Sequence, residues 1–156
     1  MKKLSTVPEG CHTPTPYFAV RGAAEAIEFY KQIFGASEVF RLTNPDGKIG
    51  HAEIAVGDSR IMLADESPAF GALSPQTIGG SPVKMHLYVE DADATVERAI
   101  NAGATLLRPV ADQFYGDRSG LISDPFGYAW FIATRKEDVS PQEMQRRWAQ
   151  VFESAE

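Results

Sequence analysis

Tyr17-Phe18-Ala19-Val20, then Ala23-Ala24-Glu25-Ala26-Ile27-Glu28-Phe29-Tyr30, then Gly35-Ala36-Ser37, is the stretch that decides the fold, because the chain says it again. Leu87-Tyr88-Val89, the run from Asp91 to Ile100, and Gly103-Ala104-Thr105 follow the same order. In both copies a short apolar strand enters a helix, the helix stops at glycine, and a new strand begins. Each copy continues into strands separated by turn signals, with no second helix. A unit of one strand, one helix and three strands cannot bury its sheet face alone, so the two copies are expected to share one structure. The fold class is α+β, two βαβββ modules plus a C-terminal helix.

Working outward, Ala23 to Phe34 reads as a helix with Ala23, Ala26, Ile27, Tyr30 and Phe34 on one stripe, ended by Gly35. Thr13 to Val20 is the strand before it, with Pro14 and Pro16 confining its opening to an edge or an irregular stretch. Val39 to Thr43 leads through Asn44-Pro45-Asp46-Gly47, a turn in which glycine tolerates positive φ, into a hairpin of Ile49 to Val56 and Arg60 to Asp65. The second copy gives strands Val83 to Val89, Thr105 to Val110, Arg118 to Ser123 and Tyr128 to Thr134, with a helix over Asp91 to Ala102. One domain over 13–135 is expected, with modules 13–65 and 83–135, a leader over 1–12 and a tail over 136–156. The connection 66–82 is rich in Ser, Pro and Gly and long enough to serve as a lid. In the tail, Ser140-Pro141-Gln142-Glu143 is a helix start with a capping serine, Met144, Trp148, Val151 and Phe152 form a stripe that needs something to cover, and Arg146 and Arg147 read as a solvated helix face.

Composition narrows the partners. The 156 residues carry a net charge of -6 and a pI near 5.1, which argues against a nucleic-acid partner. No apolar run approaches the roughly 20 residues of a membrane span, and the opening Met1 to Pro8 has no apolar stretch after its two lysines, so a cytoplasmic protein without a membrane partner is expected. The single cysteine, Cys11, excludes an internal disulfide and a multi-cysteine metal site.

These motifs carry a resemblance. Ala26 to Tyr30 through Phe34-Gly35-Ala36, Gly103-Ala104, and the closing Asp124-Pro125-Phe126-Gly127-Tyr128-Ala129-Trp130 resemble the vicinal oxygen chelate superfamily of glyoxalase I, bleomycin-resistance proteins and extradiol dioxygenases. Within it, His51-Ala52-Glu53, Met62 to Asp65, His86 to Asp91 and Asp112 to Arg118 look most like the PhnB-like branch. The resemblance implies two βαβββ modules in an open half-barrel, usually as a homodimer. It also implies that metal enzymes of the family hold their ion with side chains from the first and last strands of each module. Those positions fall at Thr15, Met62, Lys84 and Phe131, none of which suits a divalent cation that needs imidazole, carboxylate or thiolate. No metal and no cofactor are therefore expected.

Strand alternation gives an independent route to the binding face. With Val83, Met85, Leu87 and Val89 packed beneath the helices, Lys84, His86 and Tyr88 face the other way. By the same rule His51 and Glu53 oppose Ala52, Ile54 and Val56, while Tyr17, Arg60, Met62 and Phe131 join the lining. Phe114, Tyr115 and Arg118 make a plausible rim. Each polar residue has a plainer use: His86 as an ordinary strand histidine, Glu53 with Lys84 or Arg60 as a cross-strand ion pair, Tyr17, Tyr88 and Phe131 as packing. The function expected is metal-free sequestration of a small aromatic or cationic compound. The alternative is a lyase, isomerase or dioxygenase-like enzyme using His86 or Glu53 in a non-standard site, and a third is an interaction module built on the tail helix.

Overall fold

The computed structural model describes residues 4–154. Two compact units divide the chain, the first ending at Ser81 and the second beginning at Pro82, so the boundary falls within the expected connection. In the first unit β1 (Tyr17–Val20), α1 (Ala23–Phe34), β2 (Ser37–Thr43), β3 (Ile49–Val56) and β4 (Ser59–Asp65) form a sheet of order β1-β4-β3-β2. β1 runs parallel to β4, and the remaining pairs are antiparallel. After one helical turn, α2 (Pro75–Ile78), the second unit repeats the plan with β5 (Lys84–Tyr88), α3 (Ala92–Asn101), β6 (Thr105–Asp112), β7 (Asp117–Ser123) and β8 (Ala129–Arg135) in the order β5-β8-β7-β6. It closes with α4 (Pro141–Glu153). Both sheets are mixed, four-stranded and open.

Period-two burial separates the two faces of each sheet. In β3, Ala52, Ile54 and Val56 are buried while His51, Glu53 and Ala55 are half-buried on the opposite side. Against the first set α1 packs Ala23, Ala26, Ile27, Phe29, Tyr30 and Ile33, each such apolar burial contributing about 1.5–3 kcal/mol for the larger side chains. Phe34, expected on the stripe, is half-buried and stacks on Tyr30 at 5.7 Å.

A side chain from the last strand of each module starts its helix. Gly22 precedes α1 at φ 84, which glycine alone adopts cheaply, and Asp65 Oδ1 accepts from the Gly22 and Ala23 amides at 3.0 and 2.9 Å. Its other oxygen accepts from Ile49 N at 2.7 Å, tying α1, β3 and β4 together. In the second module Thr134 plays that part, accepting from Ala92 N at 2.9 Å and donating to the Val89 carbonyl at 3.0 Å. The Asp124 turn is likewise self-satisfied, its carboxylate accepting from Phe126 N, Tyr128 N and the Trp130 indole.

Several expectations need correction. Strand β1 begins at Tyr17 rather than Thr13, because the prolines lack amides and pairing opens only with the Pro16 carbonyl accepting from Met62 N. β6 runs on through Pro109 to Asp112, which an edge strand permits. Within the connection Glu66 accepts from Arg21, Ser74 N and the Thr77 hydroxyl, and those bonds, Thr77 foremost, hold its carboxyl at about 2. Met85 and Leu87 are half-buried, because β5 is an edge strand.

Candidate functional site

On the first module, the sheet face opposite α1 carries a connected polar chain. Tyr17, at the edge of the sheet, is linked to His51 Nδ1 by a 2.9 Å hydrogen bond between its hydroxyl and that nitrogen. His51 Nε2 lies 3.7 Å from one Glu53 oxygen, and Arg60 lies 3.6 Å from the other. The Glu53 and Arg60 side chains are only 16% and 19% exposed, so the pair is a partly desolvated one. The leader covers Arg60: Gly10, at φ 80, comes so close that a Cβ there would lie 2.7 Å from the guanidinium. Burial pushes the Tyr17 phenol above its ordinary value of 10.0, which keeps it a neutral hydrogen-bonding group. Met62 sits beside Tyr17 and Glu53 in register.

β2 adds a residue that alternation alone does not deliver. Bulges between Glu38 and Phe40 and between Leu42 and Thr43 shift its register, which sets Phe40 opposite Glu53 and Leu42 opposite His51. The Phe40 ring stands 5.6 Å from the His51 ring. A bulge changes which face a residue takes without leaving a mark on the hydrophobic pattern.

On the second module, the face opposite α3 centres on His86. Its ring is stacked on Phe131 at 5.6 Å and lies 4.8 Å from Tyr88, while Arg108 sits over Phe131 at 6.0 Å. Asp117, the first residue of β7, brings Oδ2 within 3.8 Å of His86 Nε2. Strand parity puts Lys84 on this face too, two residues before His86. Tyr115 reaches the same face through a 3.1 Å hydrogen bond to the Ser119 hydroxyl.

Arg118 does not join them. It pairs with Asp93 of α3 and with Asp112, at 2.6 and 3.1 Å, on the helix side of the sheet. Those bonds, the one to Asp93 first, raise its guanidinium further and lower the Asp93 carboxyl. An open cleft of about 310 Å³ lies on that side, between α3 and β6, with Val96, Ile100, Leu106 and Pro109 in its wall beside Asp93 and Glu97. None of the residues singled out from the sequence lines it.

The tail packs in cis. Phe114 meets Trp148 at 5.1 Å, and Arg147, which reads from sequence as a solvated charge, donates to Glu137, Glu143 and the Phe114 carbonyl. Trp148, Val151 and Phe152 stay 44%, 46% and 60% exposed.

The four positions at which the family's enzymes carry a metal present a hydroxyl, a thioether, an ammonium and a phenyl, a set that does not fit a divalent ion. Thr15 lies outside β1, its hydroxyl donating to the His12 carbonyl. Among the described residues no three His, Cys, Asp or Glu side chains gather around a common point. None of their helices is long and apolar enough to cross a membrane.

With two βαβββ modules and these faces established, the chain belongs to the Glyoxalase/Bleomycin resistance protein/Dioxygenase superfamily, whose family profile matches residues 14–132. An uncharacterised protein of Mycobacterium tuberculosis is 40% identical over 134 residues, 84% of this chain and 79% of that one. A solved gene product of Arabidopsis thaliana is 27% identical with a TM-score of 0.65, over 78% of this chain and 98% of its own. A PhnB protein from Bacillus cereus, described as a putative 3-demethylubiquinone-9 3-methyltransferase, shares the fold at 16% identity and a TM-score of 0.63, over 79% and 99% of the two chains.

Proposed function

We propose that this chain is a metal-independent small-molecule-binding protein whose ligand lays a flat aromatic part on the open face of the second module. The observation that carries the reading is the trio of His86, Tyr88 and Phe131, an exposed imidazole flanked by two rings at 4.8 and 5.6 Å. Such a surface gains about 0.5–1.5 kcal/mol per stacked ring beyond the area buried. An aromatic ligand is favoured over a cationic one, because Glu53 already faces Arg60 and His51, and Asp117 faces His86. A second reading, an enzyme working by proton transfer, is favoured by the 2.9 Å bond between Tyr17 and His51, since a phenol coupled to an imidazole has the chemistry of an acid–base pair. The putative glyoxylase CFP32 of Mycobacterium bovis, 30% identical over 105 residues, lends that reading a name, although this chain spans only 36% of its length.

A thermal-shift screen of aromatic antibiotics, quinones and 2-oxo compounds, run beside elemental analysis of the purified protein, tests the first reading. A bound aromatic compound at a hundred times its Kd stabilises the fold by about 2.7 kcal/mol. Tyr88→Ala is expected to remove that shift and leave the unliganded melting temperature nearly unchanged, since Tyr88 is 65% exposed. One equivalent of Zn, Ni, Fe or Mn, retained through purification and lost on His86→Ala, overturns it.

A further inference from the structure

Asp117 opens β7 directly after the turn at Gly116, a position that no hydrophobic period marks. Its side chain is only 9% exposed, yet among the described residues its one ion-pair partner is His86, whose side chain is 37% exposed. A carboxylate that far out of water favours a positive charge beside it, which His86 supplies once it takes up a proton, and on this sheet the other candidates are engaged or distant. Arg135, its neighbour in register, turns to Asp138, and Arg108 lies over the Phe131 ring. Lys84 stands two residues along β5 from His86, and the Tyr115 hydroxyl is taken by Ser119. His86 turns Nε2 towards Asp117, while Nδ1 has no hydrogen bond among the described residues. One side of the imidazole therefore faces a buried anion 3.8 Å away, and the other side is open.

We propose that His86 and Asp117 form a proton-accepting site for a ligand bearing an acidic hydroxyl, a phenol or enol conjugated with the flat ring that lies on Phe131 and Tyr88. On binding, the ligand O–H breaks and the proton passes to His86 Nδ1. The electron pair stays on oxygen, and no oxidant or reductant takes part. The imidazolium then lies between two anions, the Asp117 carboxylate 3.8 Å from Nε2 and the ligand oxyanion at Nδ1, where the hydrogen bond is charge-assisted. Arg108 and Lys84, on the same face, add positive charge towards the oxyanion. The inference rests on the aromatic-binding reading above and names the chemistry of its ligand.

The test uses the full chain with 4-nitrophenol, whose ionised form absorbs visible light, and 4-nitroanisole, which has the same ring and no proton to give. Wild-type protein is expected to hold 4-nitrophenol as the phenolate at a pH about one unit below that at which the free probe ionises, and to bind it about tenfold more tightly than 4-nitroanisole. Asp117→Asn is expected to abolish the shift and the preference while binding 4-nitroanisole within twofold of wild type; His86→Gln, which also removes a ring of the shelf, is expected to abolish the shift and to weaken both probes. Nitrophenol held as the neutral phenol, no tighter than nitroanisole, overturns the proton-accepting site and leaves the aromatic shelf standing. Failure of both probes to bind overturns the shelf and the site together.

Discussion

On the first module Tyr17, His51, Glu53 and Arg60 run as one connected chain across β1, β3 and β4, whereas on the second His86 meets Tyr88 and Asp117, and among the described residues no arginine pairs with Asp117. The residue kinds are nearly the same. Their placement is not: Tyr17 lies beside Met62, and the matching place beside Phe131 belongs to His86. So the duplicated backbone offers the same position twice, and the first copy fills it with a phenol bound to its own histidine while the second fills it with the histidine itself. One face is satisfied by its own side chains. The other leaves His86 Nδ1 without a hydrogen bond among the described residues.

The comparison can be broken at its foundation, the core beneath each face. Ile54 and Ile132 are both 0% exposed at matching depth beneath α1 and α3. Each is expected to cost about 2–5 kcal/mol when replaced by alanine, read from urea denaturation. Leu87, on the edge strand β5 and half-buried, is expected to cost roughly half as much, as a truncation whose cavity is open on one side. Equal losses at Leu87 and Ile132 would mean that β5 is as deeply covered as β8.

A second test addresses the faces directly. Glu53→Ala strips a partly desolvated arginine and an imidazole of their shared carboxylate and is expected to lower stability by about 1–3 kcal/mol. His86→Ala is expected to lower stability by less, about 0.5–1 kcal/mol, because it takes from the Asp117 carboxylate a partner 3.8 Å away whose own side chain is 37% exposed, while removing binding of an aromatic probe. If the two losses come out in the opposite order, the assignment of one satisfied face and one available face fails.

Much of this was legible in the chain, and the exceptions have causes. Helix α1 and strand β3 begin and end where the apolar period, Gly35 and the turn at Gly47 place them, since local pattern and tertiary packing agree there. Tyr17, His51, Glu53, Arg60, Lys84, His86, Tyr88 and Phe131 stand on the faces that alternation assigns, because period two is a strong constraint wherever the opposite face is buried. Arg118 went astray because it sits one residue on from Asp117 and so points to the other side, where Asp93 of α3 receives it. Phe40 was hidden by the β2 bulges, and Asp117 by its place at the mouth of a turn, where a carboxylate usually signals only solvent. Arg147 looked solvated because its partners, Glu137 and the Phe114 carbonyl, lie far from it in sequence.

The finest distinction lies between the two tyrosines. Tyr17 shares a 2.9 Å hydrogen bond with His51, while Tyr88 touches His86 through its ring, at 4.8 Å, with no hydrogen bond from its hydroxyl among the described residues. Removing one hydroxyl therefore changes different things. Tyr17→Phe deletes a bond and leaves His51 Nδ1 without its partner, so a loss of about 0.5–1.5 kcal/mol is expected. Tyr88→Phe keeps the ring and removes a solvated hydroxyl, so its stability and its affinity for a neutral aromatic probe are expected to stay within error of wild type. Burial also holds the Tyr17 phenol above its ordinary ionisation, so the spectrophotometric titration of wild type should contain a late-ionising tyrosine that Tyr17→Phe removes and Tyr88→Phe retains. A late component that disappears from Tyr88→Phe instead would exchange the roles of the two faces, making the second module the self-satisfied one.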